Sequence, residues 1–485
     1  MKPREKNAGR IQGSAVRRFA RVSAMAWGMP MRLAAARFRG LFASSRRRQA
    51  ILDECHERNA ARVLETMGQM KGALMKLAQM VSYVSSDVPE TYRTQLAALQ
   101  ASAPPMEFDV IAVELERELG GRLDALFADI DPKPIAAASI GQVHRATLPT
   151  GDRVAVKVQY PGVEAAIRAD LKNAGWLYSM LGAIYPALDT GPVVEELRER
   201  IFEELDYAHE ARSQQAFADL YEDHPWVHVP RVHERYCTPL VLTSELVQGH
   251  DFAWLTEQSD EIRQRASEAL YRFVFGSMLH HRAFNGDPHP GNYLFDDEGR
   301  VTFLDFGCVK YFEPETTKGI RRLHCSYLDG DRPAMRRAVE DLGFLTAETD
   351  ISTELYREYM GYFYQPFAED RVWEFTSDYT VRATAHVLNR GDPKFGEVPR
   401  KSNMPREFVF LNRLQWGLWP VLASIGARAD WHRIHQEYVR DAPPATEMGR
   451  DFAAHRSAWR RARGIPAEAE LWLARDGVRW KRRAA

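Results

Sequence analysis

The chain has 485 residues, 45% hydrophobic and 27% charged, enough apolar content to bury cores in two or three domain-sized units. A formal net charge of −1 supplies no global attraction for nucleic acid, which is therefore not expected as a partner. Four scattered cysteines, Cys55, Cys237, Cys308 and Cys325, show no metal-ligand spacing and suit a reducing compartment.

The first fifty residues form a basic arm. Met1 to Arg48 carries thirteen Lys and Arg against one acid, Glu5, with Trp27, Met29, Met31, Leu33, Phe38, Leu41 and Phe42 interleaved. This composition suits an anionic membrane surface, or equally a loosely docked arm, and lacks the apolar core of a signal peptide. Residues 51–105 read as a helical extension ending at Pro104–Pro105. Met67, Met70, Leu74, Leu77 and Val81 recur at helical spacing as a packing stripe. Gly72, Lys76, Gln79 and Tyr83 line the opposite face.

Residues 106–249 read as a smaller lobe. In Ala136–Ala138 three alanines restrict backbone freedom, leaving Gly141 as the permissive residue before Gln142. Arg153–Val158 alternates as a strand, with Val154, Val156 and Val158 on one face and Lys157 on the other. Val194, Leu197, Ile201, Leu205 and Ala208 predict one amphipathic helix carrying Glu203, Glu204, Asp206 and Glu210. On it Asp206 and Glu210 are like charges one turn apart, which calls for a cationic partner. Leu240–Gly249 reads as a strand entering a hinge, with backbone near Glu245 and Val247 suited to an adenine edge.

The larger, mainly helical lobe is expected over 250–440. It holds the most informative stretch, Asn285–Gly286–Asp287–Pro288–His289–Pro290–Gly291–Asn292 followed by Phe303–Leu304–Asp305–Phe306–Gly307. Tyr293–Phe295 and Val301–Leu304 predict a hairpin turning at Asp296–Gly299, which places Asp305 at a strand end. An Asp on a proline-pinned loop, an Asn five residues on and a second Asp beyond the hairpin fit phosphoryl transfer from a nucleotide. One carboxylate orients the attacking oxygen, while the amide oxygen and the other carboxylate hold Mg²⁺ against the phosphates. His280, His281 and His289 read as loop packing, and Cys308 as a small buried hydrophobe. Glu374–Pro405, with turn-like interruptions, reads as a mobile insertion. Residues 441–485, from Pro443–Pro444 to Trp480–Arg483, read as a basic tail. No stretch reaches the roughly 18 apolar residues of a spanning helix.

These motifs, in this order, resemble the UbiB (AarF-domain) family of atypical kinases from about Met67 to about Tyr327. The resemblance implies an α+β, protein-kinase-like bilobal fold with a helical N-terminal extension. Pro134–His144 is similar to the family's Ala-rich loop, implying nucleotide contacts at Ala137, Ala138, Ser139, Gly141 and Gln142. Val154–Val163 resembles its strand-lysine motif, implying that Lys157 positions phosphates and pairs with Glu210. Glu204 and Asp206 resemble its Glu-x-Asp element. Together with Lys76 and Gln79 of the Lys-x-Gly-Gln motif, they would form a lid. Ala78 stands where the family has Gly. Asp287 would then be catalytic, and Asn292 and Asp305 would bind the metal.

The expectation is an ATP- and Mg²⁺-dependent atypical kinase or ATPase serving ubiquinone or another isoprenoid-lipid pathway. A lipid or phenolic small molecule and an anionic membrane surface are its expected partners. It would be cytoplasmic or peripheral on the inner membrane face. The alternatives are a phosphotransferase like the aminoglycoside and choline kinases, or a non-catalytic nucleotide-gated scaffold.

Overall fold

A computed structural model describes residues 105–138, 140–172, 202–388, 392–403, 405, 408, 411 and 414–482. The basic arm, the extension with Lys76 and Gln79, Ser139 and the expected helical positions 194–201 lie outside these residues. The described residues fall into two compact units divided after Asp206, with 238–241 returning to the first.

The first unit is built on an antiparallel sheet. β1 (Asp129–Ile130) and β2 (Ala136–Ala137) both pair with β3 (Gly141–Thr147), which pairs along its length with β4 (Arg153–Gln159). The alternation expected in β4 is present. Val154, Val156 and Val158 are fully buried, while Ala155 and Lys157 on the other face are half-buried. Helix α1 (Phe108–Leu119) adds Ile111 and Leu115 to this core. It stops where Gly120 adopts φ +71° and returns its N–H to Glu116. Beyond β4, the Leu240 carbonyl accepts from Gln159 N–H and continues the sheet.

The single helix expected through 194–210 is not formed. Phe202–Glu204 is helical, Leu205 and Asp206 leave helical geometry, and α3 (Tyr207–Leu220) then begins afresh. An Asp just ahead of a helix is a favoured capping residue type, and Glu210 lies in the first turn, where acids complement the helix dipole. The acids that would repel one another along one helix are thus divided between two.

The second unit wraps around α4 (Asp260–His281). Ser259 caps it by accepting from Ile262 N–H, acids open it and histidines close it, in keeping with its dipole. Its second half is buried on every side, and Phe273 stacks on Phe303 with centroids 3.6 Å apart. β5 (Val227–His228) runs parallel to β9 (Val301–Phe303), which forms with β8 (Tyr293–Phe295) the hairpin expected from the sequence. Gly299 supplies the turn's φ of +88°. β6 (Val241–Glu245) leads out of the first unit into this one. β7 (Ala283–Asn285) pairs antiparallel with β10 (Val309–Tyr311).

Helices α5 (Pro314–Asp329), α6 (Arg332–Asp341) and α7 (Thr353–Ala368) follow. The stretch read as a mobile insertion contains a twelve-residue helix, α8 (Ser377–Leu388), with Tyr379 and Ala383 buried. Ser377, Asp378 and Arg382 face outward, and that masked the packed face. After a π-turn at Leu414–Leu418 come α9 (Trp419–Ser424) and α10 (Trp431–Val439).

The C-terminal segment is not a tail. It folds as α11 (Glu447–Ala462) and a hairpin of β13 (Glu470–Ala474) with β14 (Gly477–Lys481). Thr446 caps α11, and buried Trp459 donates its Nε1–H to the Asp219 carbonyl at 2.6 Å. The Arg282 guanidinium lies 4.2 Å from the Trp472 ring centre. The segment's apolar residues Trp459, Leu471 and Leu473 are buried, and that packing makes it part of the fold. No helix among the described residues is long and apolar enough to cross a membrane.

Candidate functional site

Pairing of β7 with β10 fixes where the Asp287 loop leaves the fold. Its first residue, Gly286, donates to the Cys308 carbonyl at 2.9 Å, so this loop starts alongside the turn that carries Asp305. Asn285, at the end of β7 and only 9% exposed, joins the two loops. Its Nδ2 donates to the Asp305 carbonyl at 2.8 Å and its Oδ1 accepts from Asp287 N–H at 3.4 Å. The loop then tightens into a 3₁₀ turn, Pro290–Asn292, capped by His289 Nδ1 accepting from Gly291 N–H at 3.0 Å. His289 thus serves loop packing, as expected.

Asn292 Nδ2 donates to both the Asp287 carbonyl, at 3.1 Å, and its Oδ2, at 3.2 Å. The Asn292 carbonyl accepts from Leu304 N–H at 3.0 Å, extending the β8–β9 ladder to the residue before Asp305. Asp305 Oδ1 in turn accepts from Gly307 N–H at 3.0 Å, which closes the Asp305–Phe306–Gly307 turn. A Cβ on Gly307 would lie 3.4 Å from Asp305 Oδ1 and 3.4 Å from Glu210 Oε2. Two carboxylates therefore flank one backbone position. Glu210, 3% exposed, and Phe217 are seven residues apart on the same face of α3, and Phe217 packs on Phe306 with centroids 5.0 Å apart. The aromatic contact holds the helix that presents the acid. Cys308 is 6% exposed, the buried small hydrophobe expected.

The donor set suits Mg²⁺ rather than a metal held by protein alone. Among the described residues no three His, Cys, Asp or Glu side chains form a metal-binding group. Mg²⁺ usually takes one or two carboxylates and completes its shell with water and substrate phosphates. With its amide nitrogen committed to Asp287, Asn292 keeps Oδ1 as the atom that suits a cation.

Of the predicted site residues, Glu210, Asp287, Asn292 and Asp305 belong to the second unit, which brings them together. Lys157 belongs to the first, on β4 opposite Val143. The Ala-rich segment is the tip of a β2–β3 hairpin, with Ala138 N–H donating to Gly141 O at 2.8 Å. Gly141 is spent as a strand residue. The Gln142 side chain does not face a ligand. It is fully buried, its Oε1 accepts from Met106 N–H at 2.8 Å, and its Nε2 lies 2.9 Å from His144 Nε2. Because His144 Nδ1 donates to the Asp131 carbonyl, its Nε2 can accept from Gln142. Burial keeps that ring below its ordinary pKa.

Glu245 N–H donates to the Arg231 carbonyl at 2.8 Å and is thereby committed within the fold. The Glu245 carboxylate lies 3.2 Å from His228 Nε2, a hydrogen bond that lowers its pKa. Glu204 ends the short helical turn and Asp206 follows it in the first unit. Sequence reasoning missed the roles of Asn285 and Phe217, and of Gly417, where an added Cβ would collide with Pro288 of the Asp287 loop. For Asn285 the sequence did hold a signal, the Asn-Gly step beginning the loop.

The ABC1 atypical kinase-like domain family matches residues 98–339. The mitochondrial atypical kinase COQ8B of Rattus norvegicus is 33% identical over 330 residues, 67% of this chain and 62% of that protein. An aarF domain-containing protein kinase of Arabidopsis thaliana chloroplasts is 34% identical over 308 residues, covering 62% of this chain and 43% of its own. The chain thus spans less than two thirds of either relative. COQ8 of Saccharomyces cerevisiae is 28% identical over 78% of this chain and 76% of its own. Among solved structures, the complex of Rv3197 with erythromycin from Mycobacterium tuberculosis aligns with a TM-score of 0.57 at 28% identity. That alignment covers 80% of this chain and 98% of that one. The α+β kinase-like fold expected from the motifs is the fold found, and the chain belongs to the ABC1/AarF family of atypical kinases.

Proposed function

We propose that this chain binds MgATP and hydrolyses it, or passes the phosphoryl group to a lipid or phenolic small molecule, in support of ubiquinone or other isoprenoid-lipid metabolism. One observation carries the reading. The Glu210 and Asp305 carboxylates meet at Gly307, while the hydrogen-bonded Asp287–Asn292 pair is tied to the same turn through Leu304. In this reading Asp287 orients the attacking oxygen, and Asn292 Oδ1 and the Asp305 carboxylate hold the metal. Bound Mg²⁺ would neutralise phosphate charge as the terminal bond breaks. Lys157, with Glu210 as its partner, positions the phosphates. The Ala137–Ser139 tip and Gly141 lie over them, the backbone at Glu245 and Val247 meets the base, and Lys76, Gln79, Glu204 and Asp206 form the lid. The resemblance to the family's Ala-rich loop favours water over a protein hydroxyl as acceptor.

The test is MgATP turnover by the purified chain, with and without anionic liposomes and phenolic additives, against Asp305→Asn. Turnover lost in the variant supports the enzyme. ATP binding with no turnover under any addition overturns it in favour of a nucleotide-gated scaffold. Phosphate appearing on a soluble alcohol points instead to a small-molecule phosphotransferase. Association with the inner membrane face through the basic arm belongs to the same proposal, read as liposome stimulation of turnover.

A further inference from the structure

The second unit contains a cavity of about 120 Å³ lined by none of the residues assigned to nucleotide. Its walls are the end of α3, the second half of α4, the loop after α10, and α11. Four histidines, His224, His280, His281 and His455, give it its character, together with three arginines, Arg272, Arg456 and Arg460. Two of these residues, His224 and His281, present hydrogen-bonding atoms that the fold does not use.

His224 Nδ1 accepts from the N–H groups of Trp226 and Val227, each at 3.2 Å, so its proton is on Nε2. That Nε2–H is buried and donates to nothing in the protein. His281 is 7% exposed, and its Nδ1 is likewise buried without a hydrogen-bond partner. Arg456 Nη1 lies 2.6 Å from His280 Nδ1. A guanidinium only donates, so His280 is the neutral acceptor. Among the described residues no carboxylate lies within ion-pair distance of Arg456. Leaving buried polar groups unsatisfied is costly, so this arrangement points to a ligand.

The carboxylates at the cavity are already engaged. Glu437 forms a two-pronged pair with Arg272, at 2.7 and 2.9 Å, and accepts from Ala445 N–H. Asp441 pairs with Arg321 at 2.6 Å, with His280 Nε2 at 3.5 Å on its other oxygen. What remains is a concave, donor-rich surface with a cation that has no counter-ion. Burial lowers His280 to about 4 and His224 to about 2, so the rings enter as neutral N–H groups. A cation of transition-metal type is disfavoured, since Arg456 stands beside the imidazoles.

We propose that this cavity binds a phosphate-class oxyanion, free or as a lipid headgroup, through Arg456 and the imidazoles of His224 and His281. A tetrahedral anion suits donors arriving from separate elements, the turn after α3, the end of α4, and α11. Charge-assisted bonds to Arg456 would hold it.

Calorimetric titration of the full chain with inorganic phosphate tests this, using wild type, Arg456→Gln, Arg456→Lys and Asp305→Asn, each checked for folding by circular dichroism. Saturable binding is expected in wild type and in Asp305→Asn, which separates this cavity from the nucleotide site. Arg456→Gln should weaken it at least about tenfold and Arg456→Lys by clearly less. Flotation with phosphatidic acid in phosphatidylcholine vesicles is run beside it. Arg456-dependent vesicle capture without free-phosphate binding identifies the headgroup as the source and supports the site. Two results overturn the proposal: phosphate affinity equal in wild type and folded Arg456→Gln, or no millimolar phosphate binding together with vesicle capture that ignores Arg456.

Discussion

A Cβ on Gly417 would stand 2.2 Å from Pro288 Cγ, well inside any real contact. Gly417 lies in the π-turn Leu414–Leu418, and Pro288 follows Asp287 in the loop assigned to catalysis. Such turns often occur at functional sites, and this one sets how far the loop can move. Gly417→Ala should push Pro288 away, lowering MgATP turnover about tenfold and stability by about 1–3 kcal/mol. Adding Pro288→Ala removes the ring that clashes. The double variant should therefore turn over faster than Gly417→Ala alone, and a double variant no better than the single would refute the steric account.

Asn285 touches no ligand in the proposed reading, yet it joins the loops of Asp287 and Asp305. Asn285→Ala removes a hydrogen bond to the half-buried Asp305 carbonyl, at a cost of about 1 kcal/mol. The two acids lose their mutual register, so kcat should fall further than ATP affinity. Steady-state kinetics with equilibrium nucleotide binding separates these effects. An unchanged kcat with weakened binding would mean that Asn285 positions nucleotide rather than the acids.

The β8–β9 hairpin and the lysine strand were legible because each is encoded locally. Alternating valines set the face of Lys157, and the turn at Asp296–Gly299 sets the register that delivers Asp305. What was not legible depends on distant partners. Gly417 is 129 positions from Pro288 in sequence, and no periodicity links them. Trp459 and Trp472 lie in a stretch whose charge reads as solvated until Asp219 and Arg282, far away in sequence, meet them. The division of one expected helix at Leu205–Asp206 follows the same logic. Apolar spacing alone supports continuity, whereas the acids favour a fresh helix start at Tyr207.

Arg272 is fully buried and holds Glu268, Glu437 and Thr446, joining α4 to α10 and α11. Removing one partner of a buried pair leaves the other charge uncompensated, at about 3–5 kcal/mol. Glu437→Gln leaves Arg272 still paired with Glu268, so it should destabilise by less than that, about 2 kcal/mol, in chemical denaturation. Replacing both residues with apolar ones, Arg272→Met with Glu437→Leu, should cost clearly less than the sum of the singles. Additive costs would show that the pair acts through packing rather than charge.

Acid should destabilise the second unit well above the pKa of its carboxylates. Tyr271 OH and His324 Nδ1 lie 2.8 and 2.7 Å from the two nitrogens of fully buried His435. Burial holds His435 well below its ordinary pKa, with the neighbouring His324 and His432 adding to the effect. Burial likewise lowers His324 to about 4. The unfolded chain takes up these protons near pH ~6.5, while the folded chain refuses them. The stability is therefore fully present above that pH and is lost as pH falls toward the folded values. His435 alone contributes a slope of about 1.4 kcal/mol per pH unit in that window. Tm measured in steps from about pH 8 to pH 5 should stay level above neutrality and then fall. His324→Leu takes one imidazole out of this balance and should flatten the fall. A Tm that stays flat or rises on acidification would mean that these rings take up protons in the fold, and that solvent reaches the Tyr271–His435–His324 chain.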